Sequence, residues 1–468
     1  MVRVMQTEGE KSARLSLVSL LLLSVAALEL LARITGVRAV QDAAWIAMLL
    51  AVLLSIRRLT LREYYLVAAS VVVSVLVVAL LPNPTTILIG ALDQAVFLMS
   101  FILLLGLLQA TAATSPSVAD LGAFLTRQPP GRRYAALSGG TAFLAILFNI
   151  GVVSFLVPLI QRGIQRAAPG DPLNPIREQR QISALLRGFA WSVTWSPTAI
   201  APLIVMDLIP SVDRVVWMGY AFPLFAVLMV AGWLEDRVRF RAFKPRGVLP
   251  VMVWPRTAAL RFAATTIWFL LLVLCFVWLF DESIVFGVLA ACPLMVIGWL
   301  VAQQGAAHLP ARLRQMVGTD LTGSINVAVT LATSGYIGRA AAGLTPANAV
   351  AEALGLAAMP DWMMLALIPS FTALISLFAL SPTMMAVFLG SFFAALPVLP
   401  ADATLIAFSI SCGWALSMTF SPFATLILIV SRASGIPIST LTWRWNLLFT
   451  TFAATLLFPV FFLLTGGH

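Results

Sequence analysis

The sequence predicts an all-α polytopic membrane protein with about eleven transmembrane helices, two re-entrant hairpins and inverted-topology repeats. Three observations predict this fold class. Of the 468 residues, 61% are hydrophobic and 10% are charged, whereas soluble domains average about 45–50% and about 25%. Apolar runs long enough to cross a bilayer alternate with arginine-containing loops, and one polar motif occurs twice inside such runs. The composition excludes a soluble enzyme, a secreted disulfide scaffold and a disordered regulator.

The N-terminal segment 1–39 is predicted to contain the first helix and to remain attached, because its polar opening is too long for the start of a signal peptide. The first four helices are predicted at 15–35, 40–56, 64–82 and 94–113. Three arginines lie within 57–62, just after the second helix. Positively charged loops stay in the cytoplasm, so this loop and the N-terminus are predicted to be cytoplasmic.

The apolar run 134–161 has arginines beyond both of its ends and is interrupted at Asn149. Both ends are therefore predicted to be cytoplasmic. The run is too long for one comfortable span and too short for two. We interpret it as an inner re-entrant hairpin with its tip near Asn149, which requires protein or water around the tip. One long tilted helix is the alternative.

The remaining elements follow from the same pattern of apolar runs and charged loops. They are helices at 183–206 and 214–233, a basic cytoplasmic or interfacial linker at 234–257, and apolar runs at 258–279, 283–302, 320–340, 362–397, 403–430 and 444–465. No lysine or arginine occurs between Arg339 and Arg432, so both ends of 362–397 are predicted to be external. Since Ser381 and Thr383 flank a proline within it, we interpret 362–397 as an outer hairpin.

One polar motif recurs in the middle of two apolar helices. The pattern Ser-x-Thr-aromatic-Ser-Pro-x-Ala occupies 192–199 and 417–424. Similar elements surround each copy, so we place two repeats of opposite orientation at 40–233 and 258–468. Inverted repeats with discontinuous helices are the way many secondary transporters build a binding site at the membrane midplane.

Proline inside a helix lacks an N–H and frees a carbonyl four residues back. Freed carbonyls in a membrane favour a bound cation, and the start of the next half-helix favours an anion. The predicted binding residues are those of the two motifs and the hairpin tips: Asn149, Ser192, Thr194, Ser196, Pro197, Ser381, Thr383, Ser417, Thr419, Ser421 and Pro422. A packing kink is the alternative for each motif. Neither motif contains a carboxylate, which favours Na+ as coupling ion and leaves H+ open.

Three residues beside the first motif could contact a substrate. Trp191 and Trp195 flank it and either wall a cavity or pack between domains. Arg187 lies one turn earlier and either attracts an anion or serves as a positive-inside anchor. In the first helix, Glu29 and Arg33 are one turn apart, which favours an ion pair over a proton relay.

The arrangement resembles the ion transporter superfamily, and most closely the divalent anion:sodium symporter fold. That family carries Ser-Asn-Thr at its hairpin tips, of which Asn149 matches one residue in the first hairpin, and Ser381 and Thr383 match two in the second. The resemblance covers about 40–465 in architecture. It implies an elevator-type mechanism, in which hairpins and broken helices move against a scaffold, and a homodimer. The membrane subunits of binding-protein-dependent tripartite carriers share the superfamily and are the alternative.

The sequence therefore predicts a secondary active transporter of a small, carboxylate-like organic anion, coupled to a cation. We expect it in the cytoplasmic (inner) membrane, with the N-terminus inside and the C-terminus outside. The net charge of +10 comes largely from loop arginines, which indicates orientation and no nucleic-acid partner. The expected partners are the lipid bilayer, a small-molecule substrate and a second copy of the chain. No cofactor is expected, and no metal beyond a transported sodium ion. A membrane-embedded lipid-linked transferase is the alternative from another class, but its acidic motifs are missing, so we expect a non-enzyme.

Overall fold

The computed structural model describes residues 16–209, 211–243 and 253–467, and its regular structure there is entirely helical. In the first half of the chain the helices are α1 Leu17–Thr35, α2 Arg38–Ser55, α3 Leu61–Leu80, α4 Pro84–Ala113, α5 Pro116–Thr126, α6 Pro130–Phe148, α7 Gly151–Ala167, α8 Asn174–Ser192, α9 Ile200–Leu208 and α10 Arg214–Arg239. In the second half they are α11 Arg256–Phe280, α12 Ile284–Gln304, α13 Leu309–Gln315, α14 Leu321–Gly323, α15 Ile325–Leu344, α16 Ala347–Ala353, α17 Asp361–Ile375, α18 Pro382–Ala394, α19 Ala403–Phe420, α20 Thr425–Ser434 and α21 Leu447–Leu464.

Ten helices of the described chain are long and apolar enough to cross a bilayer. The predicted class, an all-helical multi-pass membrane protein, is therefore confirmed. Local chemistry sets many boundaries. Ser16 caps α1 by accepting a hydrogen bond from the Ser19 N–H at 3.1 Å, and Gly36 ends that helix at a φ of 65°, which favours glycine. Pro84 occupies the first turn of α4, where its missing N–H costs nothing, so this helix starts earlier than the predicted 94.

The chain divides into two compact units, each drawn from both halves of the sequence. The first unit contains the described residues up to Ser115 together with Ile267–Leu344. The second unit contains Pro116–Thr266 and Thr345–His468. The second unit therefore holds both predicted hairpins and both predicted broken helices. The predicted linker 234–257 is partly helical, since α10 extends to Arg239, and its part 244–252 lies outside the described residues.

In the first unit, α4 and α15 pack along each other, and α1 packs against α2 and α4. Glu29 on α1 is buried and forms an ion pair with Arg33 at 2.8 Å. Its second carboxylate oxygen accepts a hydrogen bond from the Gln41 side chain at 3.0 Å. These contacts fit the ion-pair interpretation of the two charges on α1.

Both predicted hairpins are pairs of helices joined by a tight turn. The first pair, α6 and α7, turns at Asn149, whose φ is 44°. The second pair, α17 and α18, turns at Ala379, whose φ is 62°. The second turn therefore precedes the predicted tip. Ser381 instead caps α18 by accepting a hydrogen bond from the Met384 N–H at 3.1 Å, and the proline that follows fits the first position of a helix.

Element order and packing repeat along the chain. The series α2 to α10 corresponds to the series α11 to α21, with two additional short helices, α13 and α14, in the second. Within the second unit, α6 packs along α8 as α17 packs along α19. Across the repeats, α7 packs on α20 as α18 packs on α9. If each helix of the first repeat is exchanged with its counterpart in the second, the contact of α7 with α20 becomes the contact of α18 with α9. This indicates a pseudo-twofold relation between the two repeats.

Candidate functional site

The candidate site consists of the two interrupted helices of the second unit and the hairpin turns beside them. Helices α8 and α9 are separated by Val193–Ala199, and α19 and α20 by Ser421–Ala424. We call these segments the first break and the second break. All residues that the sequence predicted for the site belong to this unit. The structure thus gathers them into one compact body.

Each break contains a proline that leaves a backbone carbonyl without its helical donor. Pro197 removes the N–H that would bond the carbonyl of Val193, and Pro422 does the same for Met418. In the part of the chain that the structure describes, no other donor bonds to either oxygen. The two carbonyls occupy equivalent positions of the repeat. Unpaired carbonyl oxygens inside a membrane protein favour a bound cation or water.

A hydroxyl group ties each break to the neighbouring hairpin. Thr198 Oγ1 donates to the carbonyl of Ile146 at 2.6 Å in the first repeat. Ser421 Oγ donates to the carbonyl of Ser376 at 2.7 Å in the second. Each acceptor lies three residues before the positive-φ residue of its hairpin turn. A hydroxyl therefore joins broken helix and hairpin tip in both repeats, although Thr198 follows the proline of its motif and Ser421 precedes it. The sequence did not reveal Thr198 as a participant.

Several of the predicted serine and threonine side chains donate to a carbonyl three or four residues earlier in the chain. Buried hydroxyls of Ser192 and Ser417 donate to carbonyls of Phe189 and Gly413 at 2.7 Å and 2.8 Å. Thr194 donates to the Trp191 carbonyl at 2.8 Å. Each of these hydroxyls has used its one O–H group. Its oxygen can still accept a hydrogen bond or bind a cation.

The remaining predicted polar residues have different surroundings. Ser196 lies 3.4 Å from the Thr198 hydroxyl, and Thr419 lies 2.9 Å from the hydroxyl of Thr450 on α21. Thr383 is buried in the first turn of α18. Asn149 Oδ1 accepts a hydrogen bond from the N–H of Ile150 at 2.7 Å and so stabilises the turn itself.

The helix that ends each repeat also contacts the break, which the sequence did not predict. Trp217 on α10 donates its indole N–H to the Thr194 carbonyl at 2.8 Å. Arg214, the first residue of α10, donates through Nη2 to the Pro197 carbonyl at 3.0 Å. In the second repeat, Thr450 of α21 holds the place of Trp217. Among the described residues a guanidinium group contacts the first break, whereas α21 begins with Leu447 at the position of Arg214.

Two glycines allow the broken helices to approach their hairpins. A Cβ on Gly188 of α8 would lie 2.2 Å from the carbonyl oxygen of Ser138 on α6. A Cβ on Gly413 of α19 would lie 2.8 Å from the Cβ of Thr372 on α17. These glycines extend the repeated motif to GFAWSVTWSPTA at 188–199 and GWALSMTFSPFA at 413–424. The spacing was visible in the sequence, but the close helix contact that explains it was not.

Arg187 is engaged by protein groups. Its Nε donates to Asn446 Oδ1 at 2.9 Å, and its Nη1 forms an ion pair with Glu235. The guanidinium carbon lies 4.3 Å from the ring centre of Phe449. Arg187 thus joins α8, α10 and the segment before α21. In this structure Nε, Nη1 and Nη2 of the guanidinium group each have a protein partner.

The two tryptophans of the first break are buried. Trp195 contacts the rings of Phe143, Phe222 and Phe225 with centroid distances of 5.6, 5.3 and 5.4 Å. Trp191 is fully buried. Among the described residues, the indole N–H groups of both lack a hydrogen-bond acceptor. Packing against other aromatic rings accounts for the burial of the Trp195 ring. It does not account for the two indole N–H groups beside the break, which have no acceptor among the described residues.

Comparison with known proteins identifies the fold. No family model and no curated protein matches the chain. Among solved structures, the chain is similar to the crystal structure of the Alcanivorax borkumensis YdaH transporter, which is described as having an unusual topology. The match has a TM-score of 0.54 and 14% sequence identity, and it covers 87% of this chain and 98% of that one. At this identity the likeness concerns the fold alone. The chain shares the fold of that transporter, and the narrower symporter resemblance is not specified by this match.

Proposed function

We propose that this protein is a secondary active transporter that moves a small organic anion, carboxylate-like in chemistry, together with a cation. The single observation that supports this most is the pair of matched breaks. Each combines an orphaned carbonyl, a proline and a hydroxyl tied to a hairpin turn. A simple packing kink would not need the same construction twice in inverted copies. Substrate sites between inverted repeats are the common solution of secondary transporters.

In this proposal the two breaks form the substrate and ion site, with Ser196 and Ser421 at its centre. Orphaned carbonyls and hydroxyls are oxygen ligands suited to Na+. Neither 188–199 nor 413–424 contains an acidic residue, so a titrating carboxylate at the breaks is not part of the mechanism. Proton coupling remains the alternative that a gradient experiment distinguishes.

We further propose an elevator-type mechanism, with the second unit as the transport domain and the first unit as the scaffold. The division of the chain supports it, because both hairpins and both broken helices fall in one compact unit. Hydroxyl bonds and close glycine contacts join hairpin to broken helix within that unit. Such internal ties favour movement of the unit as one body.

The proposal also includes two repeats, at 40–233 and 258–468, and a relation to the ion transporter superfamily. We propose that the protein is a homodimer in the cytoplasmic membrane. The N-terminus inside and the C-terminus outside follow from the arginine distribution. In this role the protein is a carrier without enzymatic chemistry or a resident cofactor.

Uptake by purified protein in proteoliposomes tests the proposal. Organic acids are first ranked by the thermal stabilisation they give, with and without sodium, and radiolabelled forms of the best are then used. We expect wild-type uptake to be abolished in S196F and S421F, because a ring cannot be accommodated at these buried positions. V230W, on the exposed side of α10, is the matched control and should transport normally. Normal uptake by both serine variants would refute the site.

A further inference from the structure

Arg214 occupies a fixed position at the first break. Asp213 caps α10 by accepting hydrogen bonds from the N–H groups of Val215 at 2.8 Å and Val216 at 3.1 Å. The N–H of Asp213 donates to Thr404 Oγ1 at the start of α19 at 3.1 Å. The first turn of α10 is thus held by both broken helices. From this turn the Arg214 side chain reaches the Pro197 carbonyl.

The other amino group of Arg214 is a buried donor without an acceptor. Its Nη1 atom is inaccessible to solvent, and within 16–209, 211–243 and 253–467 no group accepts a hydrogen bond from it. No carboxylate of those residues lies within ion-pair distance of the guanidinium. Arg214 is half-buried, and a guanidinium whose Nη1 donor is shielded from water without an acceptor or a counter-charge costs stability. A site that holds such a group in this state is suited to an anionic ligand.

The surroundings of the break also have a surplus of donors. The indole N–H groups of Trp191 and Trp195 are buried without acceptors in the described part of the chain. Among the described residues the second break has no charged counterpart, because α21 begins with Leu447 where α10 begins with Arg214. Positive charge therefore distinguishes the first break from the second.

We infer that Arg214 binds the carboxylate group of the transported substrate through Nη1, while Nη2 stays on the Pro197 carbonyl. This inference rests on the proposed transport function and specifies the ligand and the residue of that site. Arginine is well suited to this task, since its planar donors match carboxylate oxygens and its charge persists in a buried position. The Pro197 bond fixes the plane of the guanidinium, so that ligand binding does not need to order the side chain.

The competing role is purely structural: Arg214 would serve only to satisfy the Pro197 carbonyl. Two variants separate the roles. R214Q keeps an amide donor for Pro197 but loses the charge and the second amino group. R214K keeps the charge without the planar fork. R237Q, an exposed arginine on the same helix, is the matched control.

The test measures thermal stability of the purified full-length protein with benzoate, acetate and succinate as probes, and with benzamide as the neutral counterpart of benzoate. We expect carboxylates to stabilise wild type and R237Q, and R214Q to require about tenfold to a hundredfold more probe, the range for one charge-assisted hydrogen bond. R214K should retain part of the response, and benzamide should not distinguish the variants. Without probe, R214Q should melt no lower than wild type, because it loses an unpaired buried charge.

Three results would overturn the inference. The first is an equal carboxylate response in R214Q and wild type, and the second is no response of wild type to any of the three acids. The third is failure of R214Q to fold while R214K folds and responds like wild type. Binding is measured here without transport. Carboxylate binding that depends on Arg214, combined with no uptake in proteoliposomes, would therefore contradict the proposed transport while Arg214 would still be a carboxylate-binding residue.

Discussion

The hydroxyl bonds between breaks and hairpins lead to a quantitative prediction for Ser421. Its side chain is buried, donates to the Ser376 carbonyl at 2.7 Å and accepts from the Phe423 N–H at 3.2 Å. S421A removes both bonds and leaves two polar groups without partners. Hydrogen bonds within membrane proteins contribute about 0.6 kcal/mol on average and up to about 1.7 kcal/mol. We therefore expect a loss of about 1 to 3 kcal/mol in the free energy of unfolding.

The assay is reversible unfolding in detergent, followed by an intrinsic tryptophan signal. T198V is the corresponding test in the first repeat, where the bond of 2.6 Å to the Ile146 carbonyl and the longer contact of 3.4 Å with the Ser196 hydroxyl are lost, so its cost should be no larger than that of S421A. T198S keeps the hydroxyl and should recover most of the stability. Thr126 offers a matched control, because its hydroxyl donates to the Gly122 carbonyl of its own helix at 3.0 Å.

Replacing Thr126 by valine leaves no group unpaired, since the helix already satisfies that carbonyl. T126V should therefore differ from wild type by less than about 0.5 kcal/mol. The reasoning is refuted if S421A and T198V unfold like wild type, or if T198S loses as much stability as T198V. In either case the hydroxyl bonds would not hold the hairpin tips to the breaks.

Further predictions concern the close contacts, the buried ion pair and the coupling ion. G413A should destabilise by about 1–3 kcal/mol, because the new methyl group meets Thr372 and the backbone of Pro369 at 3.1 Å or less; G219A, with open space around it, should be neutral or stabilising in the same melting experiment. E235Q should cost about 3 kcal/mol or more, since it leaves Arg187 buried without its charged partner; a melting temperature equal to wild type would show that Asn446 and Phe449 suffice. Uptake in proteoliposomes should follow an imposed sodium gradient at equal pH, and uptake driven only by a pH gradient would reject sodium coupling.

Much of the fold could be predicted because it depends on local chemistry. Apolar runs between arginine loops determined the spans, and the ten long apolar helices agree with that class. Asn149 was identifiable as a turn because it interrupts an apolar run with charges at both ends. The second turn was misplaced by a few residues, because a serine followed by proline fits a helix start as well as a helix break. The structure decides between them through the Ser381 cap.

The sequence by itself determined where two proline-broken helices lie and that they carry one repeated motif, since a missing N–H and a motif are properties of neighbouring residues. Only the tertiary structure decided what meets those breaks. Arg214 and Trp217 reach them from α10, and Arg187 is directed to Glu235 and Asn446. The division into two units joins segments from both halves of the chain. Such partners depend on which faces of distant helices pack together, and the energy of that packing is not encoded in any single stretch of sequence.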